Sequence, residues 1–193
     1  MSVNKGNTIR DMFNHFNKIF IYCIAFLFIC CVSCNKSDDN SLKFKLTYQG
    51  GFEMQAGLAP YIVETHYFVI RGIPSHFENA LTERNLLATD IKRINPLTCR
   101  LVRPFADGNY DFLYNVSIQI VNPDDPTDWK EIAYRENIQT GTNSTLDLFP
   151  TLVDVSDFLK RDYFDIRVKM NLYNSTTSYI TNRVEFDFEA LYE

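Results

Sequence analysis

YDFLYNVSIQIV, residues 110–121, sets Tyr110, Phe112, Tyr114, Val116, Ile118 and Ile120 against Asp111, Leu113, Asn115, Ser117 and Gln119. Apolar side chains at every second position share one side of an extended chain, whereas a helix would scatter them around its axis. The stretch therefore predicts a β-strand with one face in a core and the other in water.

The same period recurs outward from it in both directions. In LKFKLTY (42–48), Leu42, Phe44, Leu46 and Tyr48 oppose Lys43, Lys45 and Thr47. Near the end, Phe164, Ile166, Val168, Met170 and Leu172 form one set, and Val184, Phe186, Phe188 and Ala190 another. The run YIVETHYFVI (61–70) is apolar on both faces around Glu64, Thr65 and His66, which predicts a central strand. Fainter strands are expected at 87–94, 97–103, 131–138 and 144–149.

Turn chemistry separates them: Gly50-Gly51, Gly57 to Pro60, Asn95-Pro96, Asp107-Gly108, Asn122 to Pro126, and Thr140-Gly141. Ser75 and Glu78 have the spacing of a capping box, and Asp154 is placed to cap a single turn through Phe158 and Leu159. Eight or nine short strands at this spacing predict an all-β chain. The expected fold is one antiparallel β-sandwich over residues 42–193, immunoglobulin-like or jelly-roll in outline, with one or two short helices; a small barrel is the alternative.

Composition agrees. Of 193 residues, 46% are hydrophobic and 15% aromatic, which suits pleated, half-buried surfaces. The formal net charge is −5, and residues 1–33 carry Lys5, Arg10 and Lys18 against Asp11, so the remainder carries −7. An acidic body excludes nucleic acid as a partner, because that needs a basic stripe.

Residues 19–33, IFIYCIAFLFICCVS, hold no charge. As a helix they reach about 22 Å, short of the roughly 30 Å hydrocarbon core, which fits the apolar centre of a secretory signal better than a spanning helix. Val32-Ser33-Cys34 at its end resembles the lipobox of bacterial lipoproteins, although Cys31 stands where that family usually has Leu. The resemblance implies that residues 1–33 are a signal peptide and that Cys34 becomes the acylated N-terminus. The acyl chains would then be the membrane partner, and residues 34–41 a polar tether. Lys36-Ser37-Asp38-Asp39 is similar to the export signal of surface-exposed lipoproteins in Bacteroidota, so Lys36, Asp38 and Asp39 are expected to act in export. Asn35 stands where inner-membrane lipoproteins of many proteobacteria carry Asp. With Cys34 acylated, Cys99 has no partner for an intrachain disulfide, and the domain must rely on its core.

Residues able to carry chemistry are few. His66 and His76 with Cys99 fall short of a zinc ligand set, and His66 reads as a satisfied sheet residue. Asp124, Asp125 and Asp128, followed by Trp129, form a candidate binding loop; its acids read as a Pro/Asp hairpin turn without the spacing of an EF-hand. Trp129, the only tryptophan, is either an exposed binding anchor or a cap on the edge of the core, and the latter is expected. No nucleophile elbow, phosphate-binding glycine loop or Cys–His pair occurs, and no cofactor is implied.

The sequence thus points to a lipid-anchored module of the outer membrane, facing the cell surface, that binds a protein or glycan or serves a structural role and is not an enzyme. The alternatives are a periplasm-facing accessory subunit of an envelope complex and a hydrolase whose site is not visible in sequence.

Overall fold

The computed structural model describes residues 42–105 and 108–193. Cys34, Lys36, Asp38 and Asp39 lie outside the described residues, as does Asp107 of one expected turn. Eight strands follow in order: β1 (Leu42–Met54), β2 (His66–Pro74), β3 (Ile91–Val102), β4 (Leu113–Asn122), β5 (Asp125–Arg135), β6 (Thr145–Pro150), β7 (Tyr163–Leu172) and β8 (Ile180–Tyr192). Two short helices, α1 (Phe77–Thr82) and α2 (Ser156–Leu159), and a 3₁₀ turn at Ala88–Asp90 sit in the β2–β3 and β6–β7 connections.

Every pairing is antiparallel, in the spatial order β1-β8-β3-β6-β5-β4-β7-β2. The β5–β6 link is only two residue pairs long, Ala133 with Pro150 and Tyr134 with Phe149. The ribbon folds there into two four-stranded layers, β1-β8-β3-β6 and β5-β4-β7-β2. Within a layer only β4 and β5 are consecutive in sequence. An immunoglobulin sandwich would keep more neighbours together, so this order is that of a jelly roll.

Alternation explains the layers. Phe164, Ile166, Val168, Met170 and Leu172 of β7 are fully buried between the sheets, and so are Val184, Phe188 and Ala190 of β8. Aromatic rings make the contact across the gap. Tyr48 of β1 meets Phe164 edge-on at 5.2 Å and stacks on Phe186 at 5.7 Å. Its hydroxyl donates to the carbonyl of Ser75, so the polar end of a buried ring is satisfied. Burial pushes the Tyr48 hydroxyl pKa far above its ordinary value.

Several sequence expectations are corrected. Gly50-Gly51 is no turn: both lie inside β1, opposite Val184 and Arg183. Residues 61–65 are not a strand, and β2 begins only at His66 and forms an edge, not the centre, of its sheet. Tyr61, Ile62 and Val63 are exposed. Asn95-Pro96 does not divide two strands. Both belong to β3, where the register slips between Pro96 and Thr98; a bulge is where a strand tolerates proline's missing donor. In residues 110–121 the strand starts at Leu113, and a slip between Leu113 and Asn115 turns Leu113 into the core.

Of residues 131–138, only 131–135 are strand: they are the end of a longer one, Asp125–Arg135, and 136–138 lie beyond it. The capping box at Ser75 does not form, because the residue capping α1 is His76, in the left-handed conformation at φ 49°. Asp154 does hold α2, its Oδ1 accepting from the Ser156 amide at 2.9 Å.

The side of the sandwich opposite the β5–β6 link closes where β1 passes β2. A Cβ on Gly50 would lie 2.7 Å from Cγ2 of Ile70, so glycine permits the close approach. Gly50→Ala is expected to cost about 1–3 kcal/mol by overpacking. Ile70→Ala in the same chain should cost less than it does alone, since the two sites share one contact. Urea unfolding of the four species measures this, and additive effects would rule out the Gly50–Ile70 contact as the cause.

Candidate functional site

The two outward faces of the sandwich differ in chemistry. On the first sheet, outward side chains of β1, β8 and β3 pair among themselves. Asp187 accepts from Thr47 at 2.8 Å and from Thr98 at 2.5 Å, and meets Lys45 Nζ at 2.8 Å. Glu185 holds Arg100 at 2.7 Å and Arg183 at 2.6 Å, and Lys43 reaches Glu189 at 3.1 Å. These are cross-strand pairs that stabilise a sheet surface modestly. A groove of about 720 Å³ runs over them, lined by Lys45, Thr98, Arg100, Asp147, Glu185 and Asp187. Lys45, Arg100, Glu185 and Asp187 are already matched there, so it offers a ligand little.

The second sheet faces outward with Tyr67 and Val69 of β2, Tyr163 of β7, and Trp129 and Tyr134 of β5, all exposed. Register makes rows of them. Val69 pairs with Arg167, Arg167 with Gln119, and Gln119 with Glu131. One step along, Asp165 pairs with Val121 and Val121 with Trp129. Arg167 Nε donates to Gln119 Oε1 at 2.7 Å, and its guanidinium lies 5.4 Å from the Trp129 ring centroid. Aromatic faces interleaved with hydrogen-bonding side chains are how rigid binding surfaces are made.

Between the end of β2, β7 and the β4–β5 hairpin this face deepens into a groove of about 590 Å³, a volume within the range of small-ligand sites. Its walls are Val69, Val121, Pro123, Pro126 and Tyr163, with Arg71, Asp165 and Arg167 at the rim. Val121 is buried yet stands outside the main core cluster, so it forms a separate apolar floor.

The sequence candidates divide. Trp129 does not cap the core as expected; it stands on this outward face, 44% exposed. Asp124, Asp125 and Asp128 do make the expected hairpin. Asp125 accepts from the Thr127 amide at 3.0 Å and hydroxyl at 2.7 Å, Asp128 from Asn122 at 3.1 Å, and Asp124 from Arg161 at 3.3 Å. They point to separate partners. Among the described residues no three His, Cys, Asp or Glu side chains converge to hold a metal.

His66 is buried, with Nε2 2.7 Å from the Ala59 carbonyl oxygen and Nδ1 3.5 Å from Glu64. His76 is exposed at the start of α1. Cys99 is buried, and desolvation with the nearby Asp187 charge pushes its thiol pKa well up, so it is unreactive. Sequence reasoning missed Tyr67, Val69, Arg71, Tyr163, Arg167 and Gln119. Tyr67, Val69, Arg71 and Tyr163 are exposed, Arg167 is half-buried and Gln119 buried; their every-second-residue placement was readable, but only the pairing register brings them together.

No protein-family model matches the chain, and no curated protein matches it. Among solved structures the fold is similar to the capsid of cyanophage Pam1, at 10% identity over 82% of this chain and 99% of that one, with a TM-score of 0.42. It is similar to the VP2 subviral particle of infectious bursal disease virus at 10% identity over 80% of this chain and 33% of that one, TM-score 0.33, so the chain spans about a third of that protein. The decameric BFDV capsid protein is similar at 9% identity over 78% and 99%, TM-score 0.34.

The matched face predicts a pH response. For Asp187 and Glu185, burial pushes the pKa up, but bonds from Lys45, Thr98 and Thr47, and from Arg100 and Arg183, outweigh it and hold both below their ordinary values of 3.8 and 4.5. Depressed carboxylates stabilise the fold above those ordinary values, and the stabilisation is lost as pH falls through the lower folded ones. The urea midpoint should therefore hold from neutrality to about pH 5 and fall below about pH 4. Asp187→Asn should be less stable at neutral pH and decline less steeply in acid; a midpoint rising on acidification would contradict the assignment.

Proposed function

We propose that the chain is a lipid-anchored binding module of the bacterial outer membrane, displayed at the cell surface, that engages its partner through the outward face of the second sheet. The observation that carries the binding half is the contrast between the two faces. One spends its charges on internal pairs; the other leaves Tyr67, Val69, Trp129, Tyr134 and Tyr163 exposed together. Exposed apolar side chains clustered on one face favour an interaction site, and Trp and Tyr are the residues that anchor such sites. The anchoring half rests on the lipobox resemblance at Val32-Ser33-Cys34. Acyl chains there supply about 0.8 kcal/mol for each buried methylene, enough to hold an acidic domain that would otherwise stay in water.

Both halves are testable in the native host with the full chain. Cys34→Ala should abolish acyl incorporation and release the protein from membranes. Lys36, Asp38 and Asp39 replaced by Ala should keep the anchor and lose sensitivity to protease applied to intact cells. If the unmutated protein resists that protease, it faces the periplasm and the accessory-subunit reading replaces display. The full chain in detergent should bind at least one member of an immobilised panel of neutral and acidic polysaccharides. Changing Tyr67, Trp129 and Tyr163 together to Ala should weaken that binding at least tenfold; no binding, or binding indifferent to the three changes, would overturn the role of this face.

A further inference from the structure

The groove beside Trp129 has a charge character opposite to that of the domain around it. Residues 34–193 carry −7 overall. The groove nevertheless sets two guanidiniums, Arg71 and Arg167, at its rim. Neither makes an ion pair among the described residues. Arg167 spends its Nε on neutral Gln119 and rests against Trp129, which leaves its terminal nitrogens free. Asp165, the one acid lining the groove, is occupied: its Oδ1 accepts from the Gly72 amide at 2.8 Å. On the first sheet, by contrast, Arg100, Arg183 and Lys45 all have carboxylate partners.

The backbone is arranged to hold Arg71 there. The register of β2 against β7 slips between Ile70 and Ile73, and Gly72 takes φ +65°, a conformation that disfavours any other residue. A bulge at a sheet edge re-aims the side chains beside it, and the Asp165–Gly72 bond pins this one. The bulge and Pro74 also spoil the edge of β2 as a template for an added peptide strand, so the geometry disfavours a peptide bound by strand addition.

Resting on the proposed binding role of this face, we propose that the groove takes a carboxylate-bearing sugar of an acidic polysaccharide. The chemistry fits at each point. A guanidinium recognises a carboxylate through paired N–H donors. The hydrogens on the flat face of a sugar ring meet the electron-rich face of Tyr163, which lines the groove, while Trp129 backs Arg167 beside it. The apolar floor of Val121, Pro123 and Pro126 seats the ring edge, and Asp165 stands near its hydroxyls.

The test uses the full chain in detergent with polygalacturonate and with the same polymer fully methyl-esterified, which keeps the ring and removes the charge. The acid form should bind and the ester at least tenfold more weakly, with affinity for the acid form falling as salt rises. Arg71 is exposed and bonds to nothing else described, so Arg71→Gln should fold normally and lose at least tenfold. Arg167→Gln should lose as much, while Lys45→Gln on the other sheet changes nothing. Equal binding of acid and ester, or an unaffected Arg71→Gln, would overturn the charge assignment. Binding confined to neutral polysaccharides, still dependent on Trp129, would do the same while leaving the role of the face intact. Polyglutamate binding as well as polygalacturonate would overturn the sugar and favour an acidic peptide. A chain that binds no polysaccharide of either kind would overturn both this inference and the reading beneath it.

Discussion

The ring of Tyr48 sets the distance between the two sheets. It meets Phe164 of the opposite layer at 5.2 Å, touches Phe186 and Phe188 of its neighbour at 5.7 and 5.8 Å, and ties its hydroxyl to the chain leading into α1. Everything outward depends on that contact. Because Phe164 and Ile166 are fixed inward on β7, Asp165 and Arg167 are fixed outward at known heights. The core thereby places the groove's rim without touching it.

The same rule of alternation yields two unlike surfaces. β1 and β8 fill their outward positions with complementary charges, and a closed set of cross-strand pairs results. β2, β5 and β7 fill theirs with rings, aliphatic side chains and mixed charges, and among the described residues Arg71 and Arg167 form no ion pair. Surface pairs of the first kind add little to stability, so their main effect is to make that face inert. The second face leaves rings and guanidinium groups open to solvent.

Much of this was readable in residue order. β7 and β8 follow their predicted alternation without exception, because no bulge interrupts their inner faces. β2 and β3 were harder. The first carries apolar residues on an exposed edge, and the second runs through Pro96, so local composition argued for a centre and a break. Gly50 and Gly51 look like a turn until Ile70 is seen against Gly50. For the site, Trp129 and the acidic hairpin were visible in sequence, but their separate uses were not. Arg71, Arg167 and Val69 become neighbours of that loop only through the β4–β5, β4–β7 and β2–β7 registers, and a pairing register is a property of several strands at once.

The first strand pairs with the last along its whole length, from Leu42 with Tyr192 to Met54 with Ile180. Lys43 and its partner Glu189 are 146 positions apart in the chain. Loops of that size must close before their contacts contribute, which places such topologies among slow folders. During synthesis β1 emerges with its apolar side uncovered and waits for β8. The first sheet therefore cannot close until Ile180–Tyr192 has been made.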